Sequence, residues 1–402
     1  MAEPTTFAIV GAGLAGARAV VTLRADGFDG PVVLFGAEAH LPYERPALSK
    51  GYLQGTAEAP FAHPAEWYAE RDVDLRLGTR VTALDPAAHE VETADGDRLR
   101  YAKLLVTTGA SPRALAGAVT LRTLDDSDRL RAALRPGVRV VVIGAGWIGL
   151  EVAAAARVAG AEVTVLEQAA APLLAVLGPE MAAVFARLHV EHGVDLRCGV
   201  AVRAVRSDAV LLDDGAVPAD LVVAGIGVTP DVDLARGAGL TVDNGVVVDE
   251  HLRSSDPDVF AAGDVANAYH PFLRRHVRVE HWANALNQPV VAAKAMLGQD
   301  VAYDRLPYFF TDQYDLGMEY TGHVEPGGYD QVVLRGDTDR REFIAFWLRR
   351  GRVLAGMNVN VWDVTDPIRA IITSGQQVDT ERLADPDVPL TDPAVPLEEL
   401  AG

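Results

Sequence analysis

Two sets of three glycines stand at one spacing: Gly11, Gly13, Gly16 and Gly144, Gly146, Gly149. Each G-x-G-x-x-G follows a short apolar run and opens an Ala-rich stretch. In such a loop the first glycine permits a tight turn. The second lets a pyrophosphate approach the backbone, and the third lets helix and strand pack closely. The helix beyond offers free N–H groups and a positive dipole end to phosphate. Each segment closes on a carboxylate, Glu38 or Glu167, spaced to accept from ribose hydroxyls. One loop of this kind is a weak signal. Two, each in a β-α-β setting, point to two dinucleotides.

The two loops differ in what they would hold. Gln168, Ala169 and Ala170 follow Glu167, with no Arg or Lys among them. A 2′-phosphate would meet a carboxylate and no cation, so this site reads as NADH rather than NADPH. Glu38 suits the adenosine ribose of FAD. The runs 104–109 and 221–227 read as apolar strands ending at small residues, among them Thr108, Gly109 and Gly227. They return the chain close to a bound cofactor. A further apolar run, 258–264, ends in Gly263 and Asp264, and a carboxylate there suits the ribityl hydroxyls of a flavin.

The elements around these residues read as α/β. Phe7 to Glu38 and Arg139 to Glu167 are the two copies of an internal repeat. Residues 310–402 alternate like an antiparallel sheet and carry no glycine loop. The tail from Leu383 is acidic and Pro-rich, and reads as an extended surface segment. Of the 402 residues, 49% are hydrophobic and 23% charged, which suits a protein with sizeable cores. No apolar run approaches the roughly 18 residues of a membrane span, and the start has no basic region of a signal peptide. The net charge of −20 argues against nucleic acid and anionic membranes as partners. The single cysteine, Cys198, excludes a dithiol and reads as a small buried residue near a strand. No His, Cys or Asp spacing suggests a metal.

Together these residues resemble the FAD-dependent ferredoxin reductases that serve oxygenases. The resemblance spans nearly the whole chain. It rests on PYERPALSKGYL (42–53), TLRTLDD (120–126), GAGWIGLEVA (144–153), AGIGVTPD (224–231), VDNGVVVDEHLRSSDPDVFAAGD (242–264), NALNQ (284–288) and FFTDQYD (309–315). It implies a glutathione reductase-like architecture of two Rossmann-like domains and a C-terminal α+β domain. The FAD domain would be discontinuous, 1–112 and 247–309, with the NADH domain at 113–246 and the last domain at 310–402. It implies that Gly11, Gly13, Leu14, Ala15, Gly16, Glu38, Arg45, Lys50, Val81, Thr108, Gly109, Arg122, Gly263, Asp264 and Trp282 serve FAD. Gly144, Gly146, Trp147, Ile148, Gly149, Glu151, Glu167 and Gly227 would serve NADH. The chain departs from the family pattern at Gly36-Ala37-Glu38 and at Tyr308 and Phe310.

The implied task is to turn a two-electron donor into single electrons. Nicotinamide gives only a hydride, an iron–sulfur cluster takes one electron, and a flavin does both. Lys50 and Glu151 are expected to pair beside the flavin, where a cation would stabilise developing negative charge. Their bland reading is a solvated lysine and a routine helical glutamate. Trp282, Tyr308, Phe309 and Phe310 would shield the flavin, or form plain core. Arg274, Arg275 and Arg278 are expected to dock an acidic [2Fe-2S] ferredoxin, which would feed a cytochrome P450 or a Rieske-type oxygenase. Arg349, Arg350 and Arg352 form a second basic cluster. The chain is expected to be cytoplasmic, a monomer or weak homodimer. Rubredoxin, a quinone or O2 as acceptor is the alternative, and a flavin-gated interaction protein a remoter one.

Overall fold

The computed structural model describes residues 5–391. They fall into two compact units. The first holds the chain up to Pro46, then Ala59–Ser111 and Val228–Arg305. The second holds Ala47–Glu58, Pro112–Gly227 and the chain from Leu306 on.

The first unit is built on a five-stranded parallel sheet. Its order is Val259–Ala261, Lys103–Val106, Phe7–Val10, Val32–Phe35, Val73–Arg76. The central strands are buried at every position, which is why they read as unbroken apolar runs. Helix Leu14–Ala25 covers the sheet through Ala19, Val20 and Leu23 and packs on helix Trp282–Met296. It ends at Asp26, followed by Gly27 at φ 84°, a left-handed stop. Burying a side chain such as Leu23 or Leu34 contributes about 1.5–3 kcal/mol.

The second unit repeats the plan. Its four parallel strands run Asp195–Cys198, Glu162–Glu167, Arg139–Ile143, Leu221–Ala224. Helix Trp147–Val158 follows its glycine loop. Here too belongs a five-stranded antiparallel sheet, ordered Tyr308–Gln313, Leu316–Gly322, Arg352–Val359, Glu342–Arg349, Gln331–Asp337. The alternation from residue 310 onward therefore forms the expected sheet. Its fully buried Trp347 donates from Nε1 to Leu177 O at 3.1 Å, in a helix kinked at Gly178 and Pro179.

The segment from Leu383 differs from its expectation as far as Val388. Leu383 is fully buried in a core with Ile368, Ile371 and Ile372. Arg335 ties the next residues down, donating to the carbonyls of Leu383, Asp385, Pro386 and Val388. Composition reports the acids and prolines but not the arginine that gathers their carbonyls. Residues 392–402 lie outside the described residues.

Candidate functional site

The two glycine loops have the same stereochemistry. Gly11 and Gly144 take φ of 121° and 98°, where other residues are strained. A Cβ on Gly16 would meet Gly11 O at 2.2 Å, and one on Gly149 would meet Gly144 O at 2.1 Å. These four positions need glycine for the fold. The middle glycines do not. Gly13 and Gly146 have ordinary φ, −89° and −80°. A Cβ on Gly13 would touch nothing within 4 Å, and one on Gly146 only Gly225 O at 3.9 Å. Glycine there answers to something outside the protein, as a pyrophosphate lying against the backbone would require. Both helices also begin with no side-chain cap. Their first N–H groups are thus left for a ligand. The residues present fit two dinucleotides.

In the first unit, Leu14 and Ala15 form the first turn of the helix after Gly13. Glu38 receives the Tyr43 hydroxyl at 2.6 Å and Arg45 at 2.8 Å. Thr108 donates to Asp231 O at 2.7 Å, and Gly109 follows at φ 76°. Val81 starts a half-exposed strand, Val81–Asp85. Gly263 donates its N–H to Gln288, and Arg278 donates to Asp264 O at 3.2 Å. Trp282 opens its helix and donates from Nε1 to Glu44 at 2.9 Å. Arg274 is exposed at a turn. Arg278 is turned inward, its side chain 9% exposed and paired with Glu280 at 2.5 Å. Arg278 is thereby committed to the turn after Asp264 rather than to solvent.

In the second unit, Glu167 accepts from the N–H groups of Ala145 (2.6 Å) and Ala169 (2.7 Å), which fixes the carboxylate at the loop. Cys198 is its register partner on the next strand, and burial and then Glu167 push its thiol up. Ile148 stands exposed at the helix start, and Gly227 takes φ 94°. Trp147 packs against Phe185 and Phe309. Arg122 sits just ahead of helix Leu124–Ala133, its N–H donating to Asp126.

Lys50 and Glu151 meet, Nζ to Oε1 at 2.7 Å. Glu151 is 3% exposed, so this is a buried helical carboxylate and not a solvated one. The Lys50 ammonium also lies 5.3 Å from the Phe310 ring centroid. Glu151 further accepts from Ser49 and, at 2.5 Å, from Thr311. Gln313 donates to Thr311 and meets His189. Reading from the residues did not single out Ser49, Thr311, Gln313 or His189. One signal was available: Thr311 and Gln313 are two apart in a strand and so share a face. Phe309, half-buried, stacks on Tyr320 at 4.7 Å, and Tyr308 donates to Glu319. Beside the pair, burial first and then Glu151 and Glu319 push the Asp312 carboxyl up, against Lys50. Among the described residues there is no metal-binding cluster, and no helix is long and apolar enough to cross a membrane.

Residues 5–288 match the pyridine nucleotide-disulphide oxidoreductase family, and 308–394 the reductase C-terminal family. The chain is 45% identical to the anthranilate 1,2-dioxygenase system ferredoxin–NAD(+) reductase component of Burkholderia cepacia, over 96% of this chain and 98% of that one. It is 40% identical to putidaredoxin reductase of Pseudomonas putida, over 95% of both. The chain belongs to the FAD-dependent NADH:ferredoxin reductase family. A solved covalent complex of putidaredoxin reductase with putidaredoxin matches this reductase at a TM-score of 0.92, with 38% identity, over 97% of this chain and 98% of that one. The reductase has the glutathione reductase-like α/β architecture. It is an oxidoreductase that uses FAD and NADH.

Proposed function

We propose that this chain takes a hydride from NADH onto FAD and passes single electrons to a [2Fe-2S] ferredoxin serving a P450 or Rieske-type oxygenase. The observation that carries this reading is the pair of glycine loops, each with an uncapped helix and a middle glycine the fold does not require. Bound FAD supplies the chemistry that accepts a hydride and releases electrons singly. Everything else falls to the side chains. Gly11 to Gly16, with Glu38 and Asp264, hold FAD, and Arg45, Val81, Thr108, Gly109, Arg122, Gly263 and Trp282 complete that site. Gly144 to Gly149, with Glu167 and Gly227, hold NADH. Segments 1–112 and 247–309 act as the FAD domain, 113–246 as the NADH domain and 310–402 as the third.

Lys50 serves as the cation that offsets negative charge developing on the flavin. Glu151 holds it. Arg274 and Arg275 present positive charge to an acidic ferredoxin. The chain works in the cytoplasm, where NADH is formed. A single cysteine leaves no dithiol for disulfide chemistry. The test is anaerobic mixing with NADH and a panel of small ferredoxins, following loss of cluster absorbance. NADH-driven cluster reduction, much slower with NADPH, supports the reading. Flavin reduction with no ferredoxin reduced removes the partner and turns attention to rubredoxins, quinones and O2.

A further inference from the structure

The Lys50–Glu151 pair is one end of a longer polar line. Ser49, Glu151, Thr311, Gln313 and His189 are each at most 3% exposed. Burying polar groups is costly unless all are satisfied, and apolar side chains of similar size are often as stable or more so. Stability alone does not account for five in contact.

The direction of every hydrogen bond follows from one end. A carboxylate paired with lysine only accepts. Thr311 Oγ1 lies 2.5 Å from Glu151 Oε1, so the hydroxyl hydrogen points at Glu151. The Thr311 oxygen is then the acceptor for Gln313 Nε2 at 3.1 Å. That orients the amide and leaves its Oε1 facing His189 Nε2 at 2.8 Å. An amide oxygen only accepts, so His189 carries hydrogen on Nε2. Burial pushes this imidazole down to about 4, so the ring is neutral near pH 7 and Nδ1 is a bare lone pair. Among the described residues Nδ1 indeed has no partner. Buried orphan lone pairs are tolerated more readily than orphan N–H groups. Three donors thus point in one direction, toward the carboxylate that holds Lys50.

We propose that Gln313 and His189 are positioning residues: acting through Thr311, they orient the Glu151 carboxylate and so fix where the Lys50 ammonium sits. The inference rests on the role given to Lys50 above. Lysine has a long flexible stem, and an ammonium moved by about 1 Å loses much of its effect on a reacting centre. From Glu151 to His189 the line draws on three elements of the second unit. Glu151 comes from helix Trp147–Val158, Thr311 and Gln313 from strand Tyr308–Gln313, and His189 from the last turn of helix Leu174–Glu191. A chain of polarised bonds strengthens its members, so the far end influences the near one.

Two measurements on the FAD-loaded protein test this. In histidine-15N-labelled protein, His189 is identified by the signals missing from His189→Gln. Its nitrogens are expected to show hydrogen on Nε2 and a bare Nδ1; hydrogen on Nδ1 overturns the proposal without any variant needing to be active. In stopped flow, Thr311→Val and Gln313→Leu are expected to lower the limiting rate of flavin reduction about tenfold. The Kd for NADH should stay unchanged, and Thr311→Ser should restore the rate. Wild-type limiting rates in folded Thr311→Val and Gln313→Leu also overturn it. A slow Lys50→Met beside a wild-type Gln313→Leu rejects this inference alone; a wild-type Lys50→Met rejects the reading on which it stands.

Discussion

Lys50 keeps 15% of its side chain exposed, against 3% for Glu151, so the pair is a mostly desolvated charge couple. Removing the lysine would leave a buried carboxylate with only hydroxyl donors, which is unfavourable in itself. Lys50→Met is therefore expected to lower both stability and the rate of flavin reduction by NADH, the rate by about 10- to 100-fold, as lost electrostatic stabilisation does. Glu151→Gln keeps the shape and removes the charge; it should slow the same step. An unchanged rate in Lys50→Met would show that the lysine does not act on the chemistry. His189 supports a separate expectation on pH. Its imidazole is held near 4, below the ordinary 6.5, by burial. The unfolded chain binds a proton there that the folded chain refuses. Stability is then unaffected above about 6.5 and falls as pH drops from 6.5 toward 4. The loss reaches about 3 kcal/mol at the bottom of that window. His189→Gln should flatten this arm of the denaturation curve; an arm of equal slope in the variant would place the proton elsewhere.

The loop that joins strand to helix is the element that binds, and its three glycines are not equivalent. Gly16→Ala would drive a Cβ to 2.2 Å from Gly11 O, a clash with backbone, so it should destabilise the first unit. Gly13→Ala meets open space. It is expected to fold with near-normal melting in the absence of ligand and yet to purify with little FAD. Gly146→Ala should likewise keep its FAD and raise the Kd for NADH about tenfold or more. Equal FAD retention in Gly13→Ala and the parent would mean that no phosphate lies against that glycine. Much at this scale was legible in the sequence. The repeat shows because strand, loop and helix are local, and their spacing is fixed by covalent geometry. What was not legible is what depends on long-range contact. Lys50 and Glu151 are 101 residues apart, and His189 and Gln313 are 124 apart. Nor did composition reveal that Arg278 is spent on Glu280 and Asp264 O, or that Arg335 holds the segment after Leu383.

At the scale of the whole molecule the governing quantity is charge. At −20, the chain repels an acidic partner over long distances, so docking depends on local cations. Two clusters compete for that role, and they differ physically. Arg278 is fixed inside the first, so Arg278→Gln should weaken FAD retention rather than docking. Arg274 and Arg275 remain its outward charges. In the second cluster, Arg349 and Arg352 are directly opposite across a hairpin, with Arg350 at the turn. Like charges so placed cost roughly 0.2–1 kcal/mol, which an acidic partner would relieve. Asp330, just ahead of strand Gln331–Asp337, accepts from the Arg350 N–H and tempers that charge. Charge steering acts on association, so the decisive quantity is the salt dependence of the second-order rate of ferredoxin reduction. Arg274→Gln with Arg275→Gln is expected to lower that rate about threefold to tenfold at low salt and to flatten its salt dependence, with flavin reduction by NADH spared. The same result from Arg349→Gln with Arg352→Gln, and none from the first pair, would move the docking face to the hairpin. A salt dependence untouched by either pair would mean that the partner approaches on apolar contacts, and the acidic ferredoxin would no longer be the partner this surface favours.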